Sequence, residues 1–193
     1  MFSPYSHPYN ELAFCVTTNV RGTLFQCVPS QGRTFCFWGH EEMNIYRVAF
    51  VGHRAIKDPY RLEALLDGII TEMLHSKEYV ELCICGDGDF DILASVSAKM
   101  VQRAEGKQNS RLVLIQHCRT DNDAFHERFY DEVRYPVDFA IDAETAIAKR
   151  NQWVIDHTDM LVAYVEPDRH DSAWATLKYA EEKCLKIINL ATS

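Results

Sequence analysis

The chain of 193 residues lacks several features that would assign it to a functional class at once. It contains no G-x-x-x-x-G-K-[ST] loop, no G-x-S-x-G or H-E-x-x-H motif and no three-glycine dinucleotide fingerprint. Basic charge is also scarce, with 20 Lys and Arg against 28 Asp and Glu and a formal net charge of -8. Non-specific nucleic-acid binding depends on neutralising phosphates, so this balance makes nucleic acid an unlikely partner. A small nucleotide would need only one or two local cations.

Long apolar segments are absent too. No apolar run reaches the ~18–20 residues of a membrane span, and the first four residues lack the basic start and apolar core of a signal peptide. The seven cysteines are an odd number. Cys83, Cys85, Cys118 and Cys184 lie in or beside predicted strands, where we expect small buried side chains. We therefore expect a cytoplasmic protein without membrane contact.

Residues 1–42 differ in character from the remainder. They hold three cysteines and many aromatic residues but no clear helical period, and Met43 stands just before the first predicted core strand. We predict an appended N-terminal segment at 1–42, either a non-native extension or a small hairpin, and one domain at 43–193. In the hairpin, residues 34–38 would pair with residues 13–16.

A zinc site in this segment is an alternative to a plain hairpin. Cys27, Cys36 and His40 supply suitable ligand types. Their spacing, C-x8-C-x3-H, matches no common zinc finger, so the prediction is that the chain holds no metal.

From Arg47 onward, short apolar runs alternate with helical patterns. Asp58-Pro59 is typical of a helix start, because Asp caps the first amides and Pro suits the first helical position. The alternation predicts an α/β fold that is Rossmann-like and doubly wound, with a mostly parallel sheet of five to six strands and helices on both faces. The predicted strands are 47–51, 80–85, 111–115, 137–140, 160–165 and 185–190.

Two glycine turns, each directly after a predicted strand, give the strongest local signal. One is Gly52-His53-Arg54 and the other spans residues 86–91 (GDGDFD). A strand, a glycine turn and a helix N-terminus together favour anion binding, since backbone N–H groups and the helix dipole point at the ligand. An ordinary strand-to-helix connection is the alternative.

Individual residues at these turns leave further alternatives open. Arg54 is either a phosphate ligand or a surface arginine paired with an acid. His53 is a ligand contact, a buried hydrogen-bonded histidine or a base. The predicted ligand-binding residues are Gly52, His53, Arg54, Gly86, Asp87, Gly88, Phe90, Asp91, Arg150, Asn151, Asp171 and Ser172. We predict no catalytic residue, no metal and no cofactor among them.

Four segments, in this order, resemble the SLOG superfamily, in particular its bacterial YpsA-like branch. They are residues 48–54 (VAFVGHR), 85–91 (CGDGDFD), 150–164 (RNQWVIDHTDMLVAY) and 176–180 (TLKYA). SLOG domains are Rossmann-like and are related to the Lonely Guy phosphoribohydrolases and to the DNA-processing protein A domain. The resemblance covers about residues 45–190. It implies a pocket for a nucleotide or a nucleotide-derived ligand.

One segment departs from the family pattern. The family has Gly-Gly-Thr or Gly-Gly-Ala before the last helix, where this chain has Asp171-Ser172-Ala173. We expect Asp171 to favour ligands with a hydroxyl or amine at that corner over those with an extra phosphate. The helix glutamate that serves the related phosphoribohydrolases and deoxyribosyltransferases corresponds here to Leu177, which cannot transfer a proton.

Three functions remain open at this point. The sequence favours the binding or sensing of a nucleotide-like small molecule without robust catalysis. An N-glycoside hydrolase or transferase, using Asp87 or Asp171 with His53, is the first alternative. A protein-interaction scaffold is the second, and a homodimer is compatible with all three.

Overall fold

A computed structural model describes residues 24–30, 33–39, 43–86, 88–106, 108–136 and 142–191, the first two ranges as backbone only. The chain divides into two compact units, Met1–Met43 and Asn44–Ser193.

The first unit contains an antiparallel hairpin of two strands, β1 (Leu24–Ser30) and β2 (Arg33–Gly39). Ser30 lies opposite Arg33, so only two residues connect the strands, the shortest common hairpin loop. β2 covers the predicted hairpin strand 34–38, but its partner is β1. The predicted partner, residues 13–16, and the zinc candidate His40 lie outside the described residues.

The second unit is a doubly wound α/β domain, which confirms the predicted fold class. The six strands among its described residues are all parallel, in the order β6-β5-β4-β3-β7-β8. Along the chain the elements are β3 (Ile45–Gly52), α1 (Pro59–Ser76), β4 (Tyr79–Ile84), α2 (Asp89–Glu105), β5 (Ser110–Ile115), α3 (Asp123–Phe129), β6 (Glu132–Arg134), α4 (Ala143–Asp156), β7 (Met160–Tyr164), α5 (Ser172–Glu182) and β8 (Lys186–Asn189).

Each face of the sheet carries its own apolar core, because successive strand residues point to opposite faces. Val48 and Phe50 of β3 face the core beneath α1 and α2, whereas Ala49 and Val51 face the core beneath α4 and α5. The strand order reverses between β3 and β7, and a crevice at the carboxyl ends of the strands is expected at such a reversal.

The start of α1 agrees with the sequence analysis. Asp58 caps the helix by accepting a hydrogen bond from the Arg61 amide, and Pro59 is the first helical residue. The apolar stripe of α1 is buried, with Leu62, Leu66 and Ile70 at its centre.

β6 is not among the predicted strands. The polar stretch after β5 contains α3 and β6, and the predicted strand 137–140 lies outside the described residues. α2 buries Phe90, Ala94 and Ala98 and leaves Val96 and Met100 exposed, because small side chains let this helix lie close to α1 and the sheet.

The cysteines are only partly as expected. Cys83 and Cys85 are buried, but Cys118 is half-buried and Cys184 is exposed. Within the described ranges, none of the helices combines the length and the apolar character that a bilayer span requires.

Candidate functional site

A cleft of about 250 Å³ lies at the carboxyl edge of the sheet. The turns after β3, β4 and β5 form one side of it, and α4 with the first residues of α5 forms the other. Eight of the residues predicted from sequence line this cleft: Gly52, Arg54, Gly86, Gly88, Asp91, Arg150, Asn151 and Ser172. Residues that are more than a hundred positions apart in the sequence, such as Gly52 and Ser172, therefore line the same cleft.

The three glycines of the cleft serve close packing between the turns. A Cβ on Gly52 would lie 2.4 Å from the Phe90 ring, and one on Gly88 would lie 2.8 Å from Cα of Arg54. A Cβ on Gly86 would lie 2.5 Å from a carboxylate oxygen of Asp91. These contacts explain the glycines by proximity of protein atoms. Neither Gly86 nor Gly88 has a positive φ, so a left-handed backbone is not the reason for glycine at these positions.

Carboxylates already occupy the N-termini of α2 and α5 at this edge. Oδ2 of Asp91 accepts a hydrogen bond from the Gly88 amide at 3.2 Å. Oδ1 of Asp171 accepts hydrogen bonds from the amides of Ala173 at 3.0 Å and Trp174 at 3.3 Å. Ser172 is thus the first residue of α5 and Asp171 is its cap. A phosphate at either helix start would meet a negative charge, so positive charge in the cleft must come from side chains.

His53 lies behind the cleft and is fully buried. Its Nε2 accepts a hydrogen bond from the Glu166 amide at 2.9 Å, which requires that nitrogen to be unprotonated. The ring proton is therefore on Nδ1, which donates to Oδ2 of Asp171 at 2.8 Å. Both ring nitrogens have protein partners, and this geometry favours the buried hydrogen-bonded histidine over a base or a ligand contact.

Asp171 is committed to protein partners in the same way. Besides the cap and His53, it lies 3.3 Å from Nε of Arg169. Burial alone would raise the pKa of Asp171, but the hydrogen bonds from His53 and the Trp174 amide outweigh it and hold the pKa below its usual value. The carboxylate is thus ionised at neutral pH and belongs to the wall behind the cleft.

Arg150 is the cation that faces the cleft from α4. Only 7% of the residue is exposed. Its Nε donates to Oδ1 of Asn151 at 3.1 Å and its Nη1 approaches the Ile115 carbonyl at 3.5 Å. Across the described residues, no carboxylate forms an ion pair with this guanidinium. A buried charge without a close counter-charge costs several kcal/mol, and within the described residues this guanidinium has hydrogen bonds but no ion pair.

Cys85 also lines the cleft but does not offer a nucleophile. Burial raises the pKa of its thiol to about 12, although the nearby Arg150 acts in the opposite direction. The thiolate, which is the reactive form, is therefore negligible at neutral pH.

Several cleft residues were missed by sequence analysis. Gln116 and His117 follow β5 directly, and Thr120, Asn122 and His126 come from the adjoining connection and α3. Nδ1 of His126 is buried without a hydrogen-bond partner in the described part of the chain. The signal was available for the first two, because polar residues immediately after the third predicted strand reach the same edge as the glycine turns.

The remaining predicted residues lie elsewhere. Phe90 is fully buried and stacks on Tyr164 with ring centroids 5.9 Å apart, so it supports the Gly52 turn from behind. Asp87 lies outside the described residues. Asp171 borders a second cavity of about 640 Å³ between α4 and α5, which shares Ile147, Asn151 and Ser172 with the cleft.

Comparison with protein-family models finds no match for the chain, and comparison with curated proteins finds no significant match. Across the described ranges, no three His, Cys, Asp or Glu side chains are grouped closely enough to hold a metal ion.

Proposed function

We propose that the protein binds a nucleotide or nucleotide-derived small molecule in the cleft at the carboxyl edge of its sheet. The observation that carries this proposal is Arg150, a buried guanidinium that lines the cleft and has no acidic partner in the described residues. Arginine binds phosphate through two parallel N–H donors, and such charge-assisted hydrogen bonds are about twice as strong as neutral ones. An anionic ligand would supply the missing counter-charge.

The shape of the site supports a ligand larger than phosphate alone. The cleft of about 250 Å³ and the neighbouring cavity of about 640 Å³ share three lining residues. The cleft is slightly smaller than the ~300–1,000 Å³ typical of small-molecule pockets, and the neighbouring cavity lies within that range. The neighbouring cavity has an apolar share from Ala148, Ala175 and Tyr179, suited to a base.

Binding without robust catalysis fits the chemistry of these residues better than bond cleavage does. His53 has both nitrogens engaged, and Cys85 is a protonated thiol. Leu177 packs in the core beneath α5 rather than in the cleft. These features support a SLOG-like sensing or binding domain. The N-glycoside hydrolase and the interaction scaffold remain the competing functions.

Thermal shift with purified protein tests the proposal. We would screen AMP, GMP, their 3′,5′-cyclic forms and ADP-ribose. A ligand at about 100 times its dissociation constant should raise the free energy of unfolding by about 2.7 kcal/mol. Incubation with each stabilising compound, followed by chromatography for released base, separates binding from glycoside hydrolysis.

Arg150→Met is the decisive variant. It should weaken binding by about 1.5–3 kcal/mol, the scale of a hydrogen bond to a charged group. The unliganded variant should melt at the same or a higher temperature than the parent, because it no longer buries an unpaired charge. Arg54→Ala, at the exposed cation of the cleft, should weaken binding less.

Arg128→Met provides the matched control, since Arg128 is exposed on α3 and does not line the cleft. It should bind every compound as the parent does. A nucleotide that stabilises the parent and Arg150→Met equally would refute the assignment of Arg150. Failure of every compound in the parent would refute the nucleotide proposal.

A further inference from the structure

We infer that the protein forms a two-fold symmetric dimer through the exposed face of α2. Three large apolar side chains are exposed there, Ile92 by 54%, Val96 by 41% and Met100 by 55%. Exposed charges stand at both ends of this row, Asp89 at the start of the helix and Arg103 in its last turn. We call these five residues the α2 stripe.

The stripe occupies one face of the helix. Its spacings are three, four, four and three residues, and neighbours at these distances lie above one another in an α-helix. At 1.5 Å per residue the stripe is roughly 21 Å long. The opposite face of α2 is buried against the sheet and α1 through Phe90, Ala94 and Ala98, so α2 cannot rotate to bury the stripe within its own chain.

The order of the residues makes the stripe complementary to itself. The spacings read the same in both directions from Val96, and the two ends carry opposite charges. When two copies lie antiparallel about an axis through Val96, Asp89 faces Arg103 of the partner subunit and Ile92 faces Met100 of the partner subunit. Val96 meets its own copy. A symmetric dimer interface requires this kind of self-complementarity.

The charge pattern favours a second copy over an unrelated partner. Each chain carries a net charge of -8, so two copies repel each other unless attraction is local. The antiparallel arrangement supplies two acid–base pairs, one at each end. Neither Asp89 nor Arg103 has an ion-pair partner within the part of the chain that the structure describes. A heterologous partner would give no reason for the palindromic spacing.

The predicted dimer is reversible. One helix per subunit with three apolar side chains buries less surface than the roughly 1,200–2,000 Å² of a standard stable interface, unless neighbouring elements add to it. Association should therefore depend on protein concentration over the range used in solution experiments.

Sedimentation velocity over about a hundredfold range of protein concentration tests the inference, with charge reversal as the specific probe. Asp89→Arg alone and Arg103→Asp alone each place like charges opposite one another. Each should raise the dimer dissociation constant by roughly tenfold or more. The double variant D89R/R103D restores both pairs in reversed order and should return the constant toward that of the parent.

Two further variants distinguish specific association through the α2 stripe from non-specific association through any exposed apolar side chain. Val96→Asp puts two carboxylates at the symmetry axis and should abolish the dimer. Tyr60→Asp removes another exposed ring, 83% accessible on α1, and should leave it unchanged. A parent that is monomeric at every concentration would overturn the inference. So would a double variant that is no better than its two single parents, a comparison that stands even where Val96→Asp fails to fold.

Discussion

Glu81 is fully buried in β4 and is held by arginines from three other strands. Its carboxylate accepts hydrogen bonds from Arg47 Nε at 3.1 Å, Arg111 Nε at 2.9 Å and Arg134 Nη1 at 3.0 Å. Burial alone would raise the pKa of Glu81, but the hydrogen bonds and positive charges of Arg134 and Arg111 outweigh it and lower the pKa to about 2. The charge is thus buried together with its compensation.

Arg150 differs from the arginines around Glu81 in the charge of its described partners. Arg47, Arg111 and Arg134 surround a buried acid, and their positive charges are part of a network that stabilises the sheet. Arg150 is more shielded from solvent than these arginines but has no such acid in ion-pair contact within the described residues. The arginines around Glu81 are paired with a buried acid, whereas the described partners of Arg150 are neutral. We therefore assign the anionic ligand to the Arg150 site.

Glu81→Gln should destabilise the protein in a pH-dependent way. Removing the acid leaves three arginines facing a neutral amide, and breaking a buried ion pair costs about 3–5 kcal/mol at neutral pH. The pKa of Glu81 falls from its ordinary 4.5 in the unfolded chain to about 2 in the fold. Its contribution is therefore fully present above about pH 4.5 and is lost as the pH falls toward 2.

Urea unfolding of parent and variant at a series of pH values measures this effect. The difference in the free energy of unfolding should shrink steadily below pH 4.5, the ordinary value for the glutamate. Glu182→Gln, at an exposed residue of α5, should match the parent at every pH. A difference between Glu81→Gln and the parent that stays constant down to low pH would show that ionisation of Glu81 is not its source.

At the scale of elements, the end of α5 contains a strained residue. Cys184 has a φ of 56°, in the left-handed region that favours glycine. The Leu185 amide donates to the Ala180 carbonyl and the Cys184 amide donates to the Glu181 carbonyl. These two bonds define a Schellman motif, whose left-handed position is most often occupied by glycine. Here the Cβ of an exposed cysteine stands there instead.

Cys184→Gly should therefore stabilise the protein by about 0.5–1 kcal/mol, since it relieves the left-handed strain while the capping hydrogen bonds remain. Thermal or urea unfolding gives the measurement. Cys184→Ala is the matched control, because it removes the thiol but keeps the Cβ, and it should be close to neutral. Equal effects of the two variants would assign the gain to loss of the thiol rather than to backbone strain.

Elements with strong local signals were predictable from sequence. The Asp58-Pro59 start predicted α1, and apolar runs such as residues 160–165 predicted buried parallel strands. The buried face of α2 was not predictable from hydrophobicity alone. Because α2 packs closely, the small Ala94 and Ala98 are buried and the larger Val96 and Met100 are exposed. The two exposed residues belong to the α2 stripe.

At the scale of the whole molecule, the sheet edge that carries the site was predictable but the role of each residue was not. The carboxyl ends of parallel strands must meet, so Gly52 and Gly86 had to come together. Whether a histidine or an acid faces the cleft depends on hydrogen bonds between distant segments, such as His53 with Asp171 and Glu166. Such pairings leave no local pattern in the sequence.

The independence of the second unit gives the last prediction. In the described part of the chain, every member of both apolar cores lies between Tyr46 and Ala191. All six described strands of the parallel sheet lie between Ile45 and Asn189. A shortened chain that begins at Met43 should therefore fold on its own, because it retains the burial that stabilises the domain.

Thermal unfolding of the full and shortened chains tests this directly. Both should show one cooperative transition, with midpoints within about 2–4 °C, the shift that 1 kcal/mol produces in a domain of this size. Ligand-induced shifts should be the same in both, because every described residue that lines the cleft comes after Met43. An insoluble shortened chain, or one without a cooperative transition, would show that residues 1–42 contribute to the fold of the domain. A shortened chain that folds but no longer responds to ligand would instead place part of the binding site in those residues.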